Sequence, residues 1–184
     1  MIKNKNTKVA FAALRMQPLH KGHYRLISQM LMENDLVLVG LGSVQVEGTS
    51  MNPYSAKERT DFVKTIFASS KIKIIPLSDQ GAVRKEDWVS YCMNKIKGAN
   101  QPTPTDYYAG SETDLEWFKG AKNLNGEELR LINMERYETN IMSGTDIRKS
   151  ISAGAEEWKK HVPYPLISAI ESCYPEKLKL ENFR

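Results

Sequence analysis

Val9-Ala10-Phe11-Ala12-Ala13-Leu14 runs directly into Arg15-Met16-Gln17-Pro18-Leu19-His20-Lys21-Gly22-His23. An apolar run of this length, closed by proline and glycine, predicts a buried strand that ends in a turn. Two of the chain's three histidines, His20 and His23, fall in that turn with Gly22 between them. Such a turn brings two imidazoles and several backbone N–H groups to one spot, which suits a polyphosphate. On residues 18–23 alone, a surface turn with idle histidines is an equal reading.

Outward from this stretch, strand-like and helix-like segments alternate. Continuous apolar or β-branched runs at Lys8–Met16, Asp35–Ser43, Lys71–Leu77, Asp106–Gly110 and Glu128–Met134 predict five strands. Between them Tyr24–Glu33, Ser55–Ser69, Lys85–Lys97 and Thr113–Lys122 carry apolar residues at helical spacing. Ser55 followed by Glu58 reads as a capping box, and Asn125-Gly126 as a turn. The tail reads as helical from Ser143, with a break near Pro163 and Pro165. Buried strands alternating with helices predict a doubly wound, Rossmann-like α/β fold: a parallel five-stranded sheet, helices on both faces, and a helical C-terminal tail. Ligands in such folds sit beyond the carboxyl ends of the strands, where His20 and His23 fall.

The bulk numbers agree with one domain over residues 1–184. A chain of 184 residues, 41% hydrophobic and 26% charged, suits a single soluble core. A net charge of +4 fits an anionic ligand but is too small and scattered to argue for nucleic acid. Cys92 and Cys173 stand far apart and outside any metal-like cluster, which predicts reduced core residues. There is no leader-like segment and no 18-residue apolar span, so the expectation is a cytoplasmic protein without a membrane partner.

Gly40-Leu41-Gly42-Ser43-Val44-Gln45 starts like a dinucleotide fingerprint, but it ends in glutamine and follows the second strand. No phosphate-loop, HExxH, CxxC or GxSxG run occurs. A second element does stand out: Ser143-Gly144-Thr145-Asp146-Ile147-Arg148. Ser143 and Asp146 read as another capping box, common at helix starts. Exposed N–H groups there, the hydroxyls of Ser143 and Thr145, and the forked cation of Arg148 also suit phosphate oxygens.

The pair HxGH and SxTxIR resembles the nucleotidylyltransferase superfamily. Arg15–His23 is similar to the R-[MF]-Q-P-x-H-x-G-H run of archaeal-type nicotinamide-mononucleotide adenylyltransferases. Gly42-Ser43-Val44-Gln45, then Asn52-Pro53-Tyr54-Ser55-Ala56-Lys57-Glu58-Arg59, Trp88-Val89-Ser90-Tyr91, Ser143–Arg148 and the Trp158/His161-Val162-Pro163 tail resemble later motifs, in family order. The resemblance covers residues 8 to about 172.

It implies transfer of AMP from ATP to nicotinamide mononucleotide, giving NAD and pyrophosphate. It implies catalytic roles for His20, His23 and Arg148. ATP contacts would come from Arg15, Gln17, His20, Gly22, His23, Arg59, Ser143, Thr145 and Arg148. Gly22 would let the backbone approach the ligand. Trp88, Asp79, Ser43 and Gly42 would face the acceptor, Trp88 by stacking on the nicotinamide ring. Mg²⁺ would arrive with ATP, bridged by phosphates and not by protein side chains. Assembly into a homo-oligomer is also implied.

The chain departs from the family pattern at Leu14, where a glycine is usual, at Ser111 in place of asparagine, and at Tyr91 in place of histidine. The last two lie on the acceptor side, so another acceptor (phosphopantetheine, a flavin nucleotide or a phospho-alcohol) is the nearest alternative. A non-catalytic nucleotide sensor is the alternative of another class.

Overall fold

A computed structural model describes residues 7–78, 84–134 and 141–180. Five strands form one sheet: β1 (Val9–Leu14), β2 (Leu36–Leu41), β3 (Ile72–Pro76), β4 (Asp106–Ala109) and β5 (Arg130–Asn133). Every pairing is parallel, and the order is β3-β2-β1-β4-β5. The order reverses beside β1, so the carboxyl end of β1 lies at the switch point.

The helices are α1 (Lys21–Glu33), α2 (Ala56–Ile66), α3 (Lys85–Gly98), α4 (Glu112–Glu116), α5 (Gly144–Ser152), α6 (Ile167–Cys173) and α7 (Glu176–Leu180). Alternation along β1 divides them. Ala10 and Ala12 face one core with Ile27 and Met30 of α1, Phe62 of α2 and Ile147 of α5. Val9 and Phe11 face the other, with Met93 and Ile96 of α3 and Phe118 after α4. Both faces of the sheet are thus covered, which is why its strands read as continuous apolar runs.

Two boundaries differ from expectation for a local reason. Helix α1 starts at Lys21, inside the stretch read as a turn, because the His20 side chain caps it. Helix α4 ends at Glu116 and not at Lys122. Gly120 adopts φ 70°, and Lys122 bridges back to Glu128 across the Asn125-Gly126 turn. The predicted break in the tail appears as two short 3-10 turns, Glu157–His161 and Tyr164–Leu166.

Candidate active site

His20 is the N-cap of α1. Its Nδ1 accepts the Gly22 N–H at 3.1 Å. His23 takes the place that glutamate usually holds in a capping box, and its Nδ1 accepts the His20 N–H at 3.3 Å. A ring nitrogen that accepts is unprotonated, so both neutral imidazoles carry their proton on Nε2. The ring centroids lie 3.8 Å apart. The pair is therefore two Nε2–H donors side by side. Charging both rings would break cap bonds and set two cations against each other. Gly22 is also needed for the geometry of this pair. A Cβ there would stand 2.9 Å from His20 Cε1, so glycine makes room for the folded-back ring.

The start of α5 closes on the same place. Ser143 Oγ accepts the Asp146 N–H at 3.2 Å and donates to Asp146 Oδ2 at 2.6 Å. That donated bond is the main reason the Asp146 carboxyl sits below its ordinary range. Arg148 donates through Nη1 to Gln17 O at 2.7 Å, through Nε to Ser50 O at 3.0 Å, and through Nη2 to Thr145 Oγ1 at 3.1 Å. A Cβ on Gly144 would stand 3.3 Å from Gln17 O, so α5 abuts the chain that leads to His20. Burial, and then the charge of exposed Arg15, lower the Arg148 pKa. Arginine stays protonated regardless, so an anion beside this pair relieves the repulsion.

Two residues expected at the phosphates are turned inward instead. Arg59 is 0% exposed and donates to four backbone carbonyls: Arg15 O and Gly42 O at 2.7 Å each, Ser43 O at 3.2 Å and Ser55 O at 3.2 Å. Gln17 is also buried. Its Nε2 donates to Tyr54 O at 2.8 Å, and its Oε1 accepts the Tyr54 N–H at 3.0 Å. A buried guanidinium needs its donors satisfied, and these carbonyls satisfy it. Together the two side chains lash the ends of β1 and β2 to the head of α2. Met16 and Ser43, at φ 49° and 52°, are non-glycine residues in the left-handed region beside these bonds. Such strain persists only where surrounding contacts hold it.

A cleft open to solvent lies over His20, Gly22 and His23. Arg25, Asp114, Met134 and Ile141 also line it, and sequence reading missed them. Only Arg25 had a usable signal, a cation two residues after His23. The others come from strand and helix ends that pairing alone brings together.

The acceptor candidates stand elsewhere. Trp88, half-buried on α3, stacks on Tyr91 with centroids 5.6 Å apart. The Tyr91 hydroxyl accepts the Ser78 N–H at 2.7 Å, so this departure from the family pattern braces the end of β3. Ser43 is buried and Gly42 half-buried at the end of β2, their carbonyls held by Arg59. Ser111 caps α4 by accepting the Asp114 N–H at 3.2 Å. Asp79 lies outside the described residues.

Among the described residues, no group of three His, Cys, Asp or Glu side chains is arranged to hold a metal, and no helix is long and apolar enough to cross a membrane. Neither Cys92, which is buried, nor Cys173, which is half-buried, is joined in a disulfide.

The sequence model of the Cytidylyltransferase-like family matches residues 15–150. The chain is 33% identical to a nicotinamide-nucleotide adenylyltransferase of Methanococcus maripaludis over 166 residues, 88% of each chain. It is 29% identical to the protein of the same name from Thermoplasma acidophilum over 172 residues, 92% of this chain and 88% of that one. In fold it is similar to a bifunctional NMN adenylyltransferase/ADP ribose pyrophosphatase of Francisella tularensis complexed with AMP and a manganese ion. The TM-score is 0.71 at 19% identity, over 96% of this chain and 53% of that one. This chain spans about half the length of that longer protein.

Proposed function

The chain belongs to the Cytidylyltransferase-like family, and from that premise we propose that it transfers AMP from ATP to nicotinamide mononucleotide, giving NAD and pyrophosphate. One observation carries the reading. The N-termini of α1 and α5 converge at the carboxyl end of β1, joined by the Arg148 bond to Gln17 O across 131 positions of sequence. Around that point stand two neutral histidine donors and two arginines.

The chemistry needs little else. An oxygen of the nicotinamide nucleotide's phosphate attacks the α-phosphorus of ATP. A new P–O bond forms, the bond from the α-phosphorus to its bridging oxygen breaks, and pyrophosphate leaves with the electron pair. A phosphate monoester has its second pKa near ~6, so the nucleophile is already ionised at neutral pH and no general base is required. Catalysis is positioning plus charge stabilisation. His20 and His23 donate Nε2–H bonds to triphosphate oxygens without adding full positive charge. Arg15, Arg148, Ser143 and Thr145 hold the phosphates from the α5 side. Trp88, braced by Tyr91, stacks on the nicotinamide ring, and the strand end at Gly42 and Ser43 shapes the acceptor side.

Mg²⁺ enters as the ATP complex. The N–H donors and guanidiniums around the cleft suit phosphate oxygens and leave the ion to be carried by them. When bound it neutralises charge on the triphosphate. A cytoplasmic location and assembly with further copies of the chain belong to the same proposal.

The test is pyrophosphate release from Mg-ATP across a panel of phosphate-monoester acceptors. NAD is expected from nicotinamide mononucleotide. Turnover with phosphopantetheine but none with the nicotinamide nucleotide overturns the acceptor, and no release with any acceptor overturns the transferase.

A further inference from the structure

We propose that His161 is a positioning residue that sets the phosphate-binding start of α5 from the far side of the chain's tail. The proposal rests on the nucleotide reading above for the identity of the ligand. His161 closes the 3-10 turn Glu157–His161. Trp158 and Val162, on either side of it, are 2% and 1% exposed in the larger core, so the backbone that carries the imidazole is pinned. From there its Nδ1 accepts the Met142 N–H at 3.3 Å. Met142 immediately precedes Ser143, the N-cap of α5.

The tautomer is internally consistent. With Nδ1 accepting, the neutral ring carries its proton on Nε2, and Nε2 lies 3.8 Å from Glu157 Oε1. Lys160, bonded to Glu157 Oε2 at 2.9 Å, keeps that carboxylate ionised and ready to face the proton. The ring thus faces an anion on one side and offers an acceptor on the other.

The N–H of the residue before an N-cap has no partner inside the helix. His161 supplies one across 19 residues of sequence and fixes where the chain enters α5. Ser143, Gly144 and Thr145 then present their polar groups to the phosphates from a set position. Without the acceptor, a half-buried N–H loses its bond and the entry to α5 loses its anchor. The expected effect on nucleotide binding is roughly tenfold, the scale of an unmade hydrogen bond. The helix itself, still capped by Ser143 and packed through Ile147 and Ile151, stays folded.

The experiment titrates a non-hydrolysable ATP analogue into the wild-type protein and into His161→Asn, His161→Gln and His161→Leu, followed by calorimetry. An asparagine carbonyl stands where Nδ1 stands, and a glutamine carbonyl where Nε2 stands. Asn is expected within about twofold of wild type. Gln and Leu are expected to bind roughly tenfold more weakly, with the KM for nicotinamide mononucleotide unchanged and the melting temperature lowered by no more than the few degrees of one lost hydrogen bond. Wild-type affinity in Leu or Gln, or an Asn variant no better than Gln, overturns the proposal. If Leu does not fold, the Asn and Gln pair decides. Because the readout is binding, a wild-type protein that binds the analogue but makes no NAD overturns the reaction assigned above and leaves this inference standing.

Discussion

The Cβ that alanine would add at position 22 meets the His20 ring at 2.9 Å. The ring must leave its cap, and with it one Nε2–H donor leaves the cleft. The backbone of α1 gains, because alanine is favoured over glycine in a helix by up to about 1 kcal/mol. Gly22→Ala is therefore expected to leave the melting temperature nearly level, the lost cap of about 1 kcal/mol offsetting the helix gain, while adenylyl transfer falls roughly tenfold or more. Unchanged turnover would show that His20 has no fixed place in the reaction. Arg59 gives the opposite pairing of effects. Lysine keeps the charge but offers one nitrogen in place of a fork, so it cannot serve the carbonyls of Arg15, Gly42, Ser43 and Ser55 together. Arg59→Lys is expected to cost about 3 kcal/mol in urea denaturation, the scale of a broken buried charge network. If Arg59 were a phosphate ligand, stability would hold and only the KM for ATP would rise. His20 and His23 were legible as a pair because histidine is rare in this chain. Their tautomers were not, because these depend on backbone N–H groups that a sequence does not orient. The inward set of Gln17 and Arg59 was not legible, because motif membership says nothing about which way a side chain faces.

Strand and helix order was legible, since the inner strands β1, β2 and β4 are largely buried and each longer helix carries its own apolar stripe. Short elements were less so. Helix α4 has only five residues and owes its length to Gly120 and the bridge that follows, not to periodicity. Helix α5 was found through its cap, and that cap makes a pH-dependent prediction. The Ser143 hydroxyl holds the Asp146 carboxyl below the ordinary aspartate range. A depressed folded value means that the ionised group's contribution is complete above the unfolded value and is lost as pH falls through the lower folded one. Asp146 is exposed, so solvent screens this part and keeps it small. Ser143→Ala is expected to cost about 1 kcal/mol at neutral pH through the lost cap. The gap to wild type should stay level down to about pH 4 and narrow below it. Denaturation midpoints measured at stepped pH test this, and a gap that changes between about pH 7 and 5 would assign the titration to another group.

At the scale of the molecule, the sheet order brings together termini that sequence keeps apart. Helix α1 follows the central strand β1 directly, whereas α5 follows β5 at one edge of the sheet. They meet because the order reverses at β1 and because Arg148 reaches Gln17 O. A triphosphate lying across this junction must touch both helix starts in one event. Hydrogen exchange followed by mass spectrometry should then show ATP slowing the amides of residues 20–24 and 143–147 together, with β3, at the far edge of the sheet, slowed only as far as the whole fold is stabilised. A ligand that binds only the folded state at about 100 times its Kd adds roughly 2.7 kcal/mol of stability. The melting temperature should therefore rise in the same samples, which separates local protection from global stabilisation by its size at each segment. Protection confined to residues 20–24 would mean that the nucleotide is held by the histidine turn alone. The converging helix starts would then be packing around β1, with no part in holding the phosphates.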